Sequence, residues 1–80
     1  MSIKEIKEKY LEGKAFFGIR ETLKKYKKKK KVKIFVSKDA REETIKKLKE
    51  NGINFEFTKK KEEVAKELGL NFQSEVYLLE

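Results

Sequence analysis

The chain has no cysteine and no histidine among its 80 residues. Without cysteine there is no disulfide, no thiolate metal ligand and no cysteine nucleophile, and without histidine there is no imidazole base or ligand. Carboxylates, amines, hydroxyls and guanidinium groups are the functional groups that remain. An enzyme would have few catalytic groups to work with, so the sequence favours a binding protein that uses no cofactor and no metal.

Long apolar runs are missing as well. No stretch approaches the ~20 apolar residues of a membrane span, and residues 1–10 mix lysine and glutamate instead of forming an apolar signal core. The sequence therefore predicts a cytoplasmic protein that does not enter a membrane. Residues 1–80 are expected to form a single domain with one small core, and nothing in them indicates more than a monomer.

Charge of one sign is in excess. Lysine and arginine total 22 against 14 acidic residues, which gives a net charge of +8. Proteins from hot habitats are rich in both lysine and glutamate, which accounts for the 45% charged content but not for the imbalance of sign. A surplus this large in so small a domain favours a polyanionic partner, and nucleic acid is preferred over an anionic membrane face.

Apolar spacing predicts four helices that alternate with four strands. The apolar faces of the predicted helices are Ile3, Ile6, Tyr10 and Leu11; Ile19, Leu23 and Tyr26; Ile45 and Leu48; and Val64, Ala65 and Leu68. The predicted strands are residues 14–17, 32–36, 53–57 and 75–79. The first is expected to be an inner strand, and the second a central strand covered on both faces. This alternation predicts an α/β fold, a three-layer α/β/α sandwich with a four-stranded mixed sheet.

Turn and capping residues set the expected boundaries. Asp39 with Glu42 three residues later is an acidic variant of the capping box, and it is expected to start the third helix. Residues 51–52, Asn-Gly, are expected to end that helix. Thr58 is expected to open the fourth helix, and Gly69 to end it.

The start of the second helix is the first candidate for function. Gly18 allows a tight turn from strand to helix and a close approach by another backbone, and the helix N-terminus offers free N–H groups to a phosphate. Arg20 and Lys24 can donate to guanine O6 and N7, while Glu21 can accept from a base amino or imino group. An ordinary helix start with exposed charges explains the same residues, and for this segment alone that explanation is preferred.

Two further features fit an RNA surface. Leu70 and Phe72 flank Asn71 in a loop, where an exposed aromatic side chain suits stacking on an unstacked base; the alternative is that both apolar residues complete the core. Lysines are dense at 24–25, 27–31 and 59–61. Such lysines supply affinity for phosphates without sequence information, although lysine runs in turns are often only solvated.

Motifs of known enzyme classes are not found. Gly13-Lys14 is followed by Ala15 and lacks the upstream glycine spacing of a phosphate-binding P-loop. Glu62 and Glu63 are adjacent on a predicted helix, where neighbouring side chains diverge, so they do not form an acid/base dyad.

Several segments in this order resemble the kink-turn-binding ribosomal-protein superfamily. They are Phe17-Gly18-Ile19-Arg20-Glu21-Thr22-Leu23-Lys24, the strand at 32–36, Ser37-Lys38-Asp39-Ala40, Asn51-Gly52-Ile53 and Gly69-Leu70-Asn71-Phe72. This superfamily is typified by archaeal ribosomal protein L seven Ae and ribosomal protein L thirty e, and the chain is nearest in length to the bacterial relatives YbxF and YlxQ. The resemblance covers residues 12–79. It implies a non-enzymatic protein that binds a kink-turn, an internal loop of RNA with a bulge beside tandem sheared G·A pairs.

The resemblance also implies which residues touch the RNA. In the superfamily the second helix enters the widened major groove with the pattern Gly-x-(Asn or Lys)-(Glu or Gln)-x-x-Lys, which carries over to Gly18, Glu21 and Lys24. Arg20 replaces the archaeal asparagine with a cation. The loop that shelters the flipped-out bulge base, often Gly-Ile-Glu-Val, corresponds here to Leu70, Asn71 and Phe72 after a glycine, with asparagine in place of the acid. The residues implied to edge the base pocket are Arg41, Ile45 and Lys61, and Lys28 and Lys38 are the further RNA-binding residues.

Two other classes of function stay open at this point. A protein–protein adaptor could keep the fold and have lost RNA binding. It would then bind a partner protein with an affinity that does not depend on salt, and it would not bind RNA. A small metal-dependent phosphatase or nuclease would need clustered acids, which the sequence does not offer. The sequence leaves the RNA itself unspecified: ribosomal RNA, a riboswitch, a guide RNA and a messenger leader are all compatible.

Overall fold

In the residues that the computed structural model describes, 2–28 and 31–80, four helices alternate with four strands. The helices are α1 (Ser2–Leu11), α2 (Ile19–Lys28), α3 (Glu42–Glu50) and α4 (Lys61–Leu68). The strands are β1 (Ala15–Phe17), β2 (Lys33–Val36), β3 (Glu56–Phe57) and β4 (Val76–Leu79). The predicted alternation is confirmed. Two lysines of the expected basic turn, Lys29 and Lys30, lie outside the described residues.

The strands form one mixed sheet in the order β1-β4-β2-β3. β4 is antiparallel to both β1 and β2, whereas β3 is parallel to β2. β2 is a central strand as predicted, but β1 lies at an edge, so the expectation of an inner strand is wrong. The run at 15–17 is apolar because the helix layers cover both faces of β1: Ala15 and Phe17 pack on one side of the sheet and Phe16 on the other.

Both faces of the sheet are buried, because successive side chains of a strand point to opposite sides. Beneath α1 and α4, one core cluster consists of Ile6, Phe35, Val64, Leu68, Tyr77 and Leu79. Beneath α2 and α3, the other consists of Ile34, Val36, Leu48, Ile53, Val76 and Leu78. Burying one such side chain contributes about 1.5–3 kcal/mol, so the two clusters supply most of the drive to fold. The predicted three-layer α/β/α sandwich is confirmed.

The third strand is shorter than predicted. Only Glu56 and Phe57 pair with β2, and the N–H of Ile53 donates at 3.0 Å to the carbonyl of Leu48 at the end of α3. Residue 53 is therefore tied to the helix instead of to the sheet. Ile53 is buried and Phe57 is 56% exposed, so the alternation at 53–57 does not describe one half-buried strand.

The expected capping box at the start of α3 is also wrong. The N-cap of α3 is Arg41, and no side-chain hydrogen bond caps this helix. The carboxylate of Asp39 instead accepts a hydrogen bond of 3.0 Å from the backbone N–H of Lys61. The residue that looks like a local cap therefore serves α4, which only the tertiary fold brings near.

A boundary prediction at α4 and a burial prediction at the end of α1 also fail. Thr58 does not open α4, because its N–H donates at 2.8 Å to the carbonyl of Val36 and prolongs the pairing between β2 and β3. Leu11 was expected on the buried face of α1, but it is 74% exposed in the last turn of that helix. Gly69 ends α4 as predicted, with the left-handed φ of 71° that favours glycine.

Candidate nucleic-acid interface

Gly18 forms the turn from β1 into α2. Its φ of 99° lies in the region that glycine adopts readily and other residues rarely adopt. Its N–H donates at 3.0 Å to the carbonyl of Val76, and its carbonyl accepts from the N–H of Thr22 at 3.1 Å and from the Thr22 hydroxyl at 2.8 Å. A Cβ at Gly18 would meet no heavy atom of the described residues within 4 Å. Hydrogen bonds to Val76 and Thr22 thus fix the turn, while the described residues leave the space on the Cβ side of Gly18 open.

The outward face of α2 carries the charged residues that the sequence placed there. Arg20, Glu21, Lys24 and Lys28 are all exposed, as predicted. Arg20, Lys24 and Lys28 follow one another at intervals of four and form one stripe along the helix. At 1.5 Å per residue, Lys28 lies about 14 Å along the axis of α2 from the start of the helix. A ligand that reaches Lys28 would therefore touch a different part of the surface from one held at the first turn.

The loop at 69–73 lies beside the start of α2. Phe72 is 48% exposed, and its ring packs edge-on against the ring of Phe17, with 5.7 Å between centroids. The Phe17 ring that Phe72 contacts lies on the α1/α4 side of the sheet, and the loop comes near the start of α2 through Gln73, which lines one cleft with Gly18. Leu70 behaves differently: it is half-buried and packs on the core cluster beneath α1 and α4. Leu70 thus helps to complete the core, as the alternative explanation predicted, whereas Phe72 is exposed.

A cleft of about 510 Å³ opens next to this loop. It lies between the starts of α2, α3 and α4 and the segment 73–76 that leads into β4. Its lining includes Gly18, Arg41, Thr44, Lys61, Gln73 and Glu75. The volume falls in the range of pockets that take small organic ligands, so the cleft can accept a group the size of a nucleobase.

Glu75 holds the polar centre of the cleft. Its Oε1 accepts a hydrogen bond of 2.7 Å from the Thr44 hydroxyl, and Arg41 Nε donates to Oε1 and Oε2 at 3.3 and 3.2 Å. Lys61 Nζ lies 3.6 Å from Oε2. The Glu75 side chain is 12% exposed. Burial by itself raises the pKa of Glu75, but the hydrogen bonds from Thr44 and Arg41 and the Arg41 charge outweigh burial and hold that pKa below its ordinary value.

Asp39 and Tyr77 fix the walls around this carboxylate. The hydrogen bond from the Lys61 N–H lowers the pKa of Asp39, so Asp39 stays ionised at neutral pH. The hydroxyl of fully buried Tyr77 donates to the carbonyl of Ser74, which anchors the segment before β4. Burial, with the negative charges of Asp39 and Glu75, raises the pKa of Tyr77 and keeps its phenol protonated as a donor.

The structure brings together part of the predicted site. Gly18, Arg41 and Lys61 line the same cleft, and Phe72 directly precedes Gln73, which lines it too. Ile45 does not line this cleft; it lies on another hollow along α3, with Glu42 and Lys49 among its neighbours. The exposed residues Asn71, Lys28 and Lys38 are outside the lining as well.

Sequence reasoning missed Glu75, Thr44 and Gln73. Glu75 carries the one available signal, since it is the single acidic residue between Glu67 and Glu80 and directly precedes a buried strand. Thr44 and Gln73 have no comparable signal, because their place in the cleft depends on how α3 and the last loop meet.

Residues 2–28 and 31–80 meet neither the requirements of a metal site with three acidic ligands nor those of a membrane-spanning helix. No three acidic side chains there are grouped so that they could hold a metal ion. In the same part of the chain, no helix has the length and apolar character needed to cross a membrane.

The chain matches no model of a known protein family, and no curated protein sequence matches it.

Proposed function

We propose that this protein binds RNA that contains a kink-turn and stabilises the kinked form, without catalysing a reaction. The observation that carries the proposal is the first two turns of α2, where exposed Arg20, Glu21 and Lys24 follow the open turn at Gly18, together with exposed Phe72 in the loop whose Gln73 lines one cleft with Gly18. The resemblance to the kink-turn-binding ribosomal-protein superfamily assigns the same residues to RNA. The protein would then act in the cytoplasm as a monomer, as a ribosomal or ribosome-associated component.

The mix of charges on α2 supports base recognition over simple phosphate binding. The helix start and the lysines attract phosphates, since the N–H groups and the helix dipole there carry partial positive charge. Glu21 would repel a phosphate, but it can accept a hydrogen bond from a base amino group. Arg20 and Lys24 can donate to O6 and N7 of guanine. One carboxylate among cations therefore suits the exposed edges of sheared G·A pairs.

The kinked form gains stability because only that form makes all of these contacts. An RNA internal loop samples extended and bent conformations, and a protein that binds one of them shifts the population by its difference in affinity. In the bent form the bulge base leaves the stack, and Phe72 supplies a face against which it can pack.

The experiment is a binding titration at two salt concentrations with two RNAs. One is a standard kink-turn, and the other is a copy in which Watson–Crick pairs replace the sheared G·A pairs. We expect tight binding to the first RNA and loss of binding to the second. Equal and strongly salt-dependent binding to both would make the protein a general basic RNA binder. Binding to neither would favour the adaptor alternative.

Variants of α2 locate the contact. Glu21→Ala and Lys24→Ala should each weaken binding to the kink-turn by about 1–3 kcal/mol, the usual cost of losing a good base contact. Glu8→Ala in α1 and Lys49→Ala in α3 are the matched controls, because both residues are exposed and each control changes the net charge as its partner does. Unchanged affinity in both α2 variants would contradict the assigned roles.

A further inference from the structure

Among the described residues that line the cleft, Glu75 is the one acidic residue. Its carboxylate stands beside two cations, Arg41 and Lys61. A phosphate entering here would gain from the cations but would be repelled by the carboxylate between them. A neutral group with hydrogen-bond donors for the carboxylate and an acceptor for a cation fits this arrangement better. The cleft is therefore suited to the edge of a nucleobase rather than to a phosphate.

The contacts of Glu75 divide into a fixed one and exchangeable ones. The Thr44 hydroxyl donates at 2.7 Å from a buried position on α3, and it orients the carboxylate. The bonds from Arg41 Nε are long, at 3.2 and 3.3 Å, and the Arg41 side chain is 72% exposed. Lys61 Nζ, at 3.6 Å, makes an ion pair beyond normal hydrogen-bond distance. The Arg41 side chain can turn into solvent, but the Glu75 carboxylate is largely buried, so a ligand that displaces these contacts has to supply hydrogen-bond donors in their place.

Resting on the proposed function, we propose that this cleft reads the extruded base of the kink-turn and selects guanine, with Glu75 as the specificity-determining residue. The two carboxylate oxygens accept hydrogen bonds from guanine N1–H and from its N2 amino group. Arg41 or Lys61, released from the carboxylate, donates to O6. Thr44 keeps its bond to Oε1, which holds the carboxylate in place.

The other bases match this arrangement less well. Adenine and cytosine each present one amino donor next to a ring nitrogen acceptor, and that acceptor would face a carboxylate oxygen. Uracil presents one imino donor between two carbonyl acceptors. Only guanine places two donors side by side with an acceptor next to them, which is the pattern that a carboxylate and a cation satisfy together.

The location of the cleft is consistent with an extruded base. Gln73 lines it, and Gln73 directly follows Phe72, the exposed ring that packs on Phe17. Gly18, where α2 begins, forms another part of the lining. A base that leaves the stack beside the start of α2 would thus lie at the edge of the cleft that holds the carboxylate. Because the pKa of Glu75 is lowered, its carboxylate is ionised and ready to accept at neutral pH.

The test uses five kink-turn RNAs that differ only at the bulge position: guanine, adenine, cytosine, uracil and inosine. Inosine lacks the N2 amino group but keeps N1–H and O6, so it removes one of the two donors without any change to the protein. We expect guanine to bind about tenfold or more tightly than uracil, which corresponds to one good bidentate contact. Inosine should fall between them.

Glu75→Gln tests the carboxylate itself, with Glu8→Gln as the control that raises the net charge equally from an exposed site on α1. We expect the preference for guanine to disappear in Glu75→Gln and to remain in Glu8→Gln. Equal affinity of the wild-type protein for all five RNAs, or an unchanged preference in a folded Glu75→Gln, would overturn this inference and leave the proposed function standing. Failure to bind any of the five would overturn the proposed function, and this inference with it. The wild-type series with inosine decides the question even if Glu75→Gln does not fold.

Discussion

The carboxylate of Asp39 accepts a hydrogen bond from the backbone N–H of Lys61, 22 residues further along the chain. Asp39 lies in the turn after β2, and Lys61 is the first residue of α4. The first turn of a helix has N–H groups without partners inside the helix, and an acceptor from elsewhere stabilises it. This contact therefore joins the end of a central strand to the start of a helix that lines the cleft.

Removing this cap should destabilise the protein. We expect Asp39→Ala to lower the free energy of unfolding by about 1 kcal/mol, the usual effect of losing a helix cap. Asp39→Asn keeps an oxygen acceptor and should lose distinctly less. Denaturant unfolding of the three proteins measures the difference. Unchanged stability in Asp39→Ala would show that the cap contributes nothing measurable, and equal losses in both variants would show that it depends on the carboxylate charge.

Acid should destabilise the protein through Glu75. Its pKa is lower in the folded chain than its ordinary value of 4.5, so its ionised form contributes stability above that value. This contribution is lost as the pH falls below 4.5 and through the folded pKa. We expect Glu75→Gln to be less stable than the wild type at neutral pH and to lose less stability on acidification. Unfolding measured from pH 7 to pH 3, with Glu8→Gln as the control, checks this. Parallel curves for wild type and Glu75→Gln would contradict it.

Phe72 and Phe57 form a matched pair for testing the aromatic contact. Both are about half exposed, and each packs edge-on against another phenylalanine, Phe17 for Phe72 and Phe55 for Phe57. We expect Phe72→Ala to weaken kink-turn binding by about 1–3 kcal/mol, the usual effect of losing a base stack. Phe57→Ala, away from the cleft, should cost similar stability and leave affinity unchanged. Titrations of both variants provide the comparison, and equal effects on affinity would exclude a stacking role for Phe72.

Gly18 should be sensitive both in stability and in binding. A side chain at its φ of 99° is strained, so Gly18→Ala should lower the free energy of unfolding by about 1–2 kcal/mol. Gly52 also has a positive φ, 65°, but ends α3 away from the cleft. Gly52→Ala should therefore destabilise the fold without affecting RNA binding, whereas Gly18→Ala should weaken binding as well, because its new methyl group projects toward the incoming RNA. Retained affinity in a folded Gly18→Ala would show that no close approach occurs there.

The spacing of apolar residues along the sequence made the core predictable. The run at 32–36 had the composition of a central strand, and β2 is one. Ile34 and Val36 pack on one side of the sheet and Phe35 on the other. The helical spacing of Val64 and Leu68 likewise placed them in the core. Such patterns are local, so the sequence alone contains them.

The failures concern interactions between distant segments. Asp39 and Glu42 have the spacing of a local cap, yet Lys61 provides the partner of Asp39. The alternation at 53–57 has the period of a strand, but the hydrogen bond from Ile53 to the end of α3 outweighs sheet pairing there. Glu75 could not be assigned because the groups that surround it come from α3 and α4. The exposure of the charged residues on α2 was thus predictable from residue types, while the lining of the cleft depends on the tertiary fold.

The position of β4 has a consequence for how the protein is made. Within the part of the chain that the structure describes, β1 pairs with β4 alone, and β4 separates β1 from β2. The strands at 15–17 and 33–36 therefore become part of one sheet only after residues 76–79 have been synthesised. During vectorial synthesis the earlier segments would emerge with their apolar faces uncovered, and the many charged side chains around them would help to keep the nascent chain from associating. β2 can pair with β3 earlier, but the four-stranded sheet should be completed late, when β4 inserts between β1 and β2.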